Sequence, residues 1–323
     1  MTDLQSGSEV HAVPIVDDPL ADALGSLRMD GMFYCPSELT APWGVDLPYM
    51  ADCLWFHVVT SGACTVRDAD GAEHSVRSGD VIVFPHGGGH LAYDRPHAAT
   101  PVVFDLPHEY MSEQYAIMRH GGGGELTTLT CGVVRFGHPA ARNLIEMLPE
   151  MIHVRTSDEP ENWHWFPGLL ALMGAETRAP KAGGEAVVTR LCDILVIQAI
   201  RSWIDSAPDA QHGWIGALRD PVVGRAIAMI HKDPARQWTV DILSDEVAMS
   251  RSGFSSRFTD LVGESPKQYV TRWRMQVAEE RLRSTDASVL EIATSLGYGS
   301  EAAFSRAFKR VVGTPPSQVR GKD

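Results

Sequence analysis

Hydroxyl and basic side chains recur at the same helical spacing in two stretches of the chain that lie 50 positions apart. Hydroxyl, guanidinium and ammonium groups donate hydrogen bonds to phosphate oxygens and to the edges of bases. These stretches therefore have the chemistry to recognise a nucleic acid; the alternative is that each residue lies on an ordinary solvated helix face. The candidate contacts are Arg251, Ser252, Ser255, Ser256, Thr259, Ser300, Glu301, Ala302, Ser305, Arg306 and Lys309.

Arg306 and Lys309 are the strongest of these candidates. An arginine reads guanine through two hydrogen bonds, and a lysine suits a phosphate. The first stretch has Ser256 and Thr259 at the positions paired with them. We therefore expect the second stretch to supply the stronger anchoring and the first to make weaker or more adjustable contacts.

The same two stretches predict the helices that must hold these side chains. Each copy has a serine before two phenylalanines four residues apart, which is typical of a helix that begins at the serine and packs one face. A shorter helical pattern precedes each copy, so the repeat predicts two helix-turn-helix motifs. Pro266 to Ser284, between the copies, is predicted as a single helix that fixes their separation. The paired positions are Ser250 and Ser300, Phe254 and Phe304, Phe258 and Phe308, Gly263 and Gly313, and Pro266 and Pro316.

The second copy belongs to a longer pattern, formed by Ile292-Ala293, Gly297-Tyr298, Ser300, Phe304, Arg306, Phe308-Lys309, Gly313, Pro316 and Arg320. With this pattern, residues 221–320 resemble the DNA-binding domain of the AraC family of bacterial transcription regulators. The resemblance implies sequence-specific binding of double-stranded DNA, control of transcription, and RNA polymerase as a further candidate partner. Two positions depart from the family: Ser256 stands where arginine is usual, and Val319 where tyrosine is preferred.

Short β-type runs separated by Gly, Pro and Asp fill the front of the chain from Met32 to about Phe136. Several short strands at close spacing predict a sandwich or a small barrel. Gly79 to Asp94 has glycine, proline and histidine at the spacing of a cupin motif, and residues 14–217 resemble the cupin-type sensing half of one branch of AraC-like regulators. The candidate strands are Cys53–Val59, Ala63–Val66, His74–Val76, Asp80–Phe84, Val102–Phe104 and Leu126–Phe136.

The predicted fold class is α+β, with an N-terminal cupin-like β-barrel, flanking helices, and a C-terminal all-α domain with two helix-turn-helix motifs. We expect a sensing and dimerisation domain over residues 14–206, a linker over 207–217 and a DNA-binding domain over 218–323. Helices are expected over Asn143–His153, Trp165–Ala175 and Glu185–Ser206. The last is apolar on more than one face, which either a homodimer contact or burial within its own domain would explain.

Histidine and cysteine side chains are candidates for a site inside the barrel. Alternation along a strand places Cys53 and His57 on one face, so that His57 and His90 share the interior with Cys53 or His86 beside them. The cupin resemblance implies a divalent metal, since imidazole is a good ligand for Zn, Fe or Ni. The alternative is a hydrogen-bonded histidine pair that shapes a pocket for a small organic effector. A third hypothesis is redox sensing through the thiols of Cys35 and Cys53.

Charge is divided unevenly along the chain. From Leu218 onward 16 Lys and Arg stand against 13 Asp and Glu, whereas the first 217 residues hold 12 against 28. An acidic sensor before a mildly basic DNA-binding domain explains this, and so do two domains with differently solvated surfaces. The N-terminus lacks an apolar signal segment and no apolar run reaches about 20 residues, which predicts a cytoplasmic protein. Five scattered cysteines without a CxxC pair predict reduced thiols.

Together these features predict a ligand-responsive regulator that is not an enzyme. The rival prediction, from another class, is a metal-dependent cupin enzyme with an accessory helical domain. That reading needs a complete set of metal ligands, which the sequence does not supply. Stoichiometric iron in the purified protein, with turnover of a small substrate, would decide for the enzyme.

Overall fold

The computed structural model describes residues 24, 33–135, 141, 144–158, 163–178, 182–206 and 213–319. It confirms the α+β class, since strands build the front of the chain and helices the back. Within these ranges no helix is both long and apolar enough to cross a membrane. Residues 14–23 of the expected sensing domain, residues 207–212 of the expected linker and residues 320–323 lie outside the described residues.

The strands are β1 (Phe33–Thr40), β2 (Gly44–Leu47), β3 (Cys53–Ser61), β4 (Ala63–Arg67), β5 (Glu73–Arg77), β6 (Asp80–Phe84), β7 (His90–Tyr93), β8 (His108–Tyr110), β9 (Ala116–Gly121), β10 (Leu126–Arg135) and β11 (Ile152–Arg155). They form a seven-stranded sheet in the order β11-β6-β3-β10-β1-β9-β8 and a four-stranded sheet in the order β2-β7-β4-β5. Both sheets contribute buried side chains to one apolar core, for example Leu129 from the larger and Val66 from the smaller. The two sheets therefore enclose a common interior.

The side chains on the two faces of β3 pack into two different apolar cores. Trp55 and Val59 face the space between the sheets, whereas Leu54, Phe56 and Val58 face the helices on the other side. All five side chains are buried. Because consecutive strand residues point to opposite faces, the predicted alternation on this strand is confirmed.

Two predictions of local structure are wrong. Val102–Phe104 is predicted as a strand, but Val103–Asp105 forms a 3-10 turn. The turn lets Val103 enter the core while Phe104 stays 50% exposed. The end of the predicted helix Asn143–His153 forms β11 instead. β11 pairs with β6, far earlier in the chain, and this pairing overrides the local helical pattern.

The helices are α1 (Phe166–Arg178), α2 (Gly184–Ser206), α3 (Gly213–Arg219), α4 (Val223–Lys232), α5 (Val240–Glu246), α6 (Arg251–Val262), α7 (Pro266–Ser284), α8 (Val289–Ser295), α9 (Glu301–Val312) and α10 (Pro316–Val319). α2, predicted over Glu185–Ser206, packs against α1 and against β6 and β11. Val188 and Leu195 lie in the core, while Val187 and Ile194 are exposed. α2 therefore has one apolar face inside its own domain and another in solvent.

α3 differs from the linker expected over residues 207–217. Ile215 and Ala217 are buried, and α3 packs against α4 and α6. These apolar side chains belong to one continuous core that includes α2 and the first helix-turn-helix, and α3 itself packs on α4 and α6.

α5 and α6 form the first helix-turn-helix and α8 and α9 the second, as the repeat predicts. We call α6 the first reading helix and α9 the second reading helix. Phe254 and Phe258 in one, and Phe304 and Phe308 in the other, are fully buried. α7 joins the two motifs as one helix with the predicted bounds, and it packs against both reading helices.

Candidate DNA-reading helices and barrel cavity

Both reading helices begin and end through the same local chemistry. The hydroxyl groups of Ser250 and Ser300 accept a hydrogen bond from the backbone N–H three residues on, at 3.2 and 3.3 Å. Gly263 and Gly313 follow the helices with φ of 83° and 86°, a left-handed conformation that glycine adopts without strain. Ser300, predicted as a DNA contact, thus serves as an N-cap in the structure.

The second reading helix presents three basic side chains to solvent. Arg306, Lys309 and Arg310 are exposed at i, i+3 and i+4, which places them on one face. Within the described part of the chain, no ion pair joins any of the three to a carboxylate. Glu301 and Ala302 are also exposed, at the start of the helix. Arg310 adds a third positive charge to the two that were predicted, and a concentrated positive face attracts phosphates.

The first reading helix presents different chemistry at the paired positions, which Ser256, Thr259 and Asp260 occupy. The Ser256 hydroxyl donates to the Asp260 carboxylate at 3.3 Å, and the Thr259 hydroxyl donates to the carbonyl of Ser255 at 2.8 Å. Ser252 is exposed nearby and Ser255 is half-buried. The two hydroxyls are engaged within the helix and the carboxylate repels phosphate, so this face is the weaker anchor.

Both arginines of the first reading helix are paired with carboxylates. Arg251 contacts Asp241 of α5 at 3.2 Å, and Arg257 contacts Asp220 at 2.5 Å. Arg257 is not among the predicted contacts, because the paired position in the second copy is Ala307, which is uncharged and buried. The repeat pattern carries no signal for a residue that one copy lacks.

Arg274 of α7 ties the two motifs together, and the sequence pattern did not single it out. Its Nε and Nη2 donate to the carbonyl oxygens of residues 234–236, at 2.6, 3.4 and 2.8 Å. The side-chain amide of Gln237 donates to the carbonyl of Gly297 in the second motif at 3.1 Å. The loop before α5 is thus held by the connecting helix and by the second motif, which fixes the two reading helices relative to each other.

His57 and His90 meet inside the barrel with their Nε2 atoms 2.7 Å apart. Nδ1 of His90 lies 2.8 Å from the carbonyl oxygen of Gly88. Since a carbonyl can only accept, His90 carries its hydrogen on Nδ1, and its Nε2 accepts the hydrogen that His57 donates. Burial, and the neighbouring His90, lower the pKa of His57, while burial lowers the pKa of His90 to about 4. Both imidazoles are therefore neutral near pH 7.

The residues around this pair do not fit a metal site. Nε2 of His86 donates instead to the carbonyl of Leu148 at 2.9 Å. Cys53 lies in the apolar core at the start of β3, four residues before His57. The Nε2 lone pair of His90 is already engaged by His57. Among the described residues, no three His, Cys, Asp or Glu side chains lie close enough together to hold a metal ion. The structure does not bring Cys53 or His86 to the pair, so the geometry favours the hydrogen-bonded interpretation.

Cys35, one of the two predicted redox thiols, lies opposite Cys131 in the sheet and not beside Cys53. The strand register places Cys35 opposite Cys131 and Cys131 opposite His57, whereas Cys53 lies two strands away from Cys35. Burial raises the pKa of Cys35 to about 11 and holds the pKa of Cys131 well above its ordinary value. Both thiols are protonated near neutral pH and are slow nucleophiles. The raised pKa of Cys35 argues against a reactive thiolate there, and redox sensing through Cys53 stays a prediction.

A cavity of about 40 Å³ lies between the two sheets beside these residues. Its walls are mainly apolar and include Trp43, His57, Cys35 and Cys131. The indole N–H of Trp43 is buried and has no hydrogen-bond partner among the described residues. A cavity of about 150 Å³ accepts benzene, so this one suits a smaller, apolar molecule.

A β-barrel with an interior cavity, joined to two helix-turn-helix motifs that one helix connects, defines a DNA-binding protein with an additional barrel domain. A cupin family model matches residues 18–205, and a helix-turn-helix domain model matches residues 243–322. An AraC-like transcription regulator of Streptomyces lividans is 35% identical over 94% of this chain and 98% of its own length. The HTH-type transcriptional regulator AlkR of Acinetobacter baylyi is 26% identical over 94% of this chain and 99% of its own length. The DNA-binding domain of AdpA, solved in complex with a target DNA, is 32% identical and covers 31% of this chain and 90% of that chain, with a TM-score of 0.30.

The chain belongs to the AraC-like transcription regulators and combines their helix-turn-helix DNA-binding domain with a cupin-like N-terminal domain. This confirms the family and the architecture that the sequence patterns predicted. The relatives are transcription regulators, so the rival prediction of a metal-dependent cupin enzyme is not favoured.

Proposed function

We propose that the protein acts as a homodimer that binds specific double-stranded DNA. In each subunit the second reading helix makes the stronger contacts with the DNA, and the first makes weaker, more adjustable contacts. The observation that carries this proposal is the exposed basic face of Arg306, Lys309 and Arg310, for which the described residues provide no carboxylate partner. A helix of this kind fits the major groove, where arginine distinguishes guanine by its two acceptor atoms.

The fixed geometry of the two motifs supports their use on one DNA molecule. Arg274 and Gln237 brace the loop before the first motif against α7 and against the second motif. If the reading helices lie about 34 Å apart, both can enter successive major grooves on one face of the DNA. We place the domain boundary between Ser206 and Gly213, because α3 packs with the DNA-binding half.

The exposed face of α2 supports a homodimer through this helix. Val187, Leu191 and Ile194 follow one another at i, i+4 and i+7, and Val187 and Ile194 are 38% and 44% exposed. A second copy that brings the same stripe against it would bury these side chains by a two-fold interface. RNA polymerase stays a candidate partner, to be tested by crosslinking on the promoter.

The barrel cavity supports a small effector in the sensing domain. Its volume of about 40 Å³ and its apolar walls suit a compact, uncharged and mainly apolar molecule. The hydroxyl of Tyr34, on β1 beside Cys35, hydrogen-bonds to Asp193 of α2. An effector that displaces β1 would thereby shift α2, provided that it binds one arrangement more tightly than the other.

The test of DNA recognition is footprinting of the full-length protein, across a salt series, on a duplex that it selects from a random-sequence pool. Binding should weaken steeply with salt, because counterions return to the phosphates. Arg306→Ala should weaken binding about 10- to 100-fold and remove protection from one half of each site, since a bidentate guanine contact is lost. Ser256→Ala, at the paired position of the first reading helix, is the control and should cost far less. Unchanged protection with Arg306→Ala would mean that the second reading helix does not read the bases.

A further inference from the structure

Two adjacent residues at the corner between α3 and α4 touch the sensing half and the first reading helix at the same time. Arg219, the last residue of α3, forms an ion pair with Asp205 at 3.1 Å. Its guanidinium also donates to the carbonyl of Ile204 at 3.4 Å. Both acceptors lie at the C-terminal end of α2, where unpaired carbonyls and the helix dipole favour a positive charge. Arg219 therefore holds the end of the sensor's long helix.

Asp220, the next residue, holds the DNA-binding half through both oxygens of its carboxylate. Oδ1 accepts the backbone N–H groups of Val222 and Val223 at 3.0 and 2.9 Å, which caps the start of α4. Oδ2 accepts Nε and Nη2 of Arg257 at 3.1 and 2.5 Å. Burial favours the neutral acid, but the bonds from Arg257 and from the two N–H groups outweigh it and keep the pKa of Asp220 below its ordinary value. The carboxylate is therefore charged at neutral pH, and its side chain is only 13% exposed.

The position of Arg257 on the first reading helix suits a phosphate contact. Ser256 and Asp260 point outward at the centre of the exposed face, and Arg257 lies on its flank, with 44% of its side chain exposed. When a helix lies in the major groove, its flanks face the phosphates on either side of the groove. In this arrangement the Nε–Nη2 edge, which arginine uses for phosphate oxygens, is engaged by Asp220.

We propose that Arg257 contacts a DNA phosphate only when it is released from Asp220. The Arg219–Asp220 corner then acts as a latch, which the end of α2 keeps closed. When the end of α2 moves away, Arg219 loses Asp205, the corner relaxes, and Arg257 turns to the DNA. The first reading helix, whose central face holds no basic residue, then gains a positive contact. This inference rests on the proposed DNA-binding function and adds a residue and a route by which the sensor reaches the first motif.

Asp220→Asn opens the latch without removing the cap, because the amide oxygen still accepts the two N–H groups while the charge facing Arg257 is lost. On the selected duplex, the full-length variant should bind about fivefold tighter than the wild type, a gain at the lower end of ordinary allosteric couplings. The plot of log affinity against log salt should steepen by about 0.9, the value for one added phosphate contact. Asp220→Asn combined with Arg257→Gln should return both quantities to the wild-type level. A gain that survives Arg257→Gln would overturn the assignment of Arg257.

Two further variants separate the latch from a general effect of charge. Glu246→Gln removes one negative charge from an exposed pair with Arg236, in the same motif but outside the reading helix. It should leave the salt slope unchanged, and an equal steepening would overturn the latch. Asp205→Asn frees Arg219 from the sensing side only, and it should reproduce the gain of Asp220→Asn, again only while Arg257 is present. If Asp205→Asn binds like the wild type, the corner does not report the position of α2.

These outcomes are distinguishable from a failure of the proposed function itself. If Arg306→Ala leaves the wild-type footprint intact, the choice of the second reading helix is wrong whatever the latch does. If Arg306→Ala removes half of the footprint and Asp220→Asn changes neither affinity nor salt slope, only the latch is wrong. Thermal melting of Asp220→Asn and of Arg257→Gln alone checks that both variants remain folded.

Discussion

At the scale of single residues, the two copies of the repeat share their packing chemistry and differ in their recognition chemistry. The serine N-caps and glycine C-caps are the same in both, because each copy must begin and end its helix in the same way. On the exposed face, Ser256 occupies the position equivalent to Arg306 in the second copy, and Asp260 occupies the position equivalent to Arg310.

The histidine pair in the barrel predicts a dependence of stability on pH. The pKa of His90 falls from 6.5 to about 4 on folding, so the unfolded chain binds more protons than the native chain between these values. Stability should therefore be fully present above pH 6.5 and fall as the pH drops toward 4, by up to about 3 kcal/mol from this residue. Urea unfolding at pH 7, 6, 5 and 4.5 measures the loss. His90→Gln does not titrate and should show a flatter profile; identical profiles would contradict the assignment.

At the scale of elements, α7 determines how the two motifs act together. It begins with a capping box between Ser265 and Gln268, and Pro266 sits in its first turn, so its start is sharply defined. From its middle, Arg274 bridges to the loop at residues 234–236. A helix alone would set the distance between the motifs, and this bridge also sets their mutual rotation.

Arg274→Met tests this bridge. Arg274 is 9% exposed, and its loss removes a charged donor from three carbonyl oxygens, so the free energy of unfolding should fall by about 2–4 kcal/mol. If the bridge also orients the motifs, the footprint of the folded variant should fade under the first reading helix and persist under the second. Arg274→Lys is the matched control and should restore stability only in part, because one ammonium cannot reproduce the guanidinium geometry. A destabilised variant with an even footprint would leave α7 alone responsible for the orientation.

At the scale of the whole molecule, the apolar helix α2 links the barrel to the DNA-binding half. Its inner face packs on the larger sheet, its outer stripe is exposed, and its C-terminal end meets Arg219. The sequence alone left open whether the helix is a dimer contact or a buried element of its own domain. The structure shows that one face is buried within its own domain, and the exposed apolar stripe on the other side is where we propose the dimer contact.

Ile194→Lys tests the dimer. A charge in the exposed stripe should oppose burial against a second copy, so sedimentation should show a monomer where we expect the wild type to be a dimer. DNA affinity should fall at least about 100-fold, because two linked sites bind with higher avidity than one. Ala186→Lys adds the same charge at an exposed position of α2 outside the stripe and should remain dimeric. A dimeric Ile194→Lys would place the interface elsewhere.

Local patterns in the sequence were sufficient for the helix-turn-helix pair, the bounds of α7 and the alternation along β3. Each depends on residues within a few positions of one another: a serine cap, phenylalanines four apart, or every second residue of a strand. Such patterns depend on backbone geometry, which is the same wherever the element lies. The predicted reading helices and the burial of Phe254, Phe258, Phe304 and Phe308 follow from them.

Only the tertiary structure decided which side chains meet. Cys35 lies opposite Cys131 because of the register between β1 and β10, and His86 turns to Leu148 rather than to the histidine pair. Arg257 reaches Asp220 because α3 packs beside the first reading helix. These partners are tens of residues apart, and their approach depends on strand register and helix packing, which no local period encodes. The DNA-reading helices can therefore be predicted from the sequence, whereas the contact between Arg257 and Asp220 cannot.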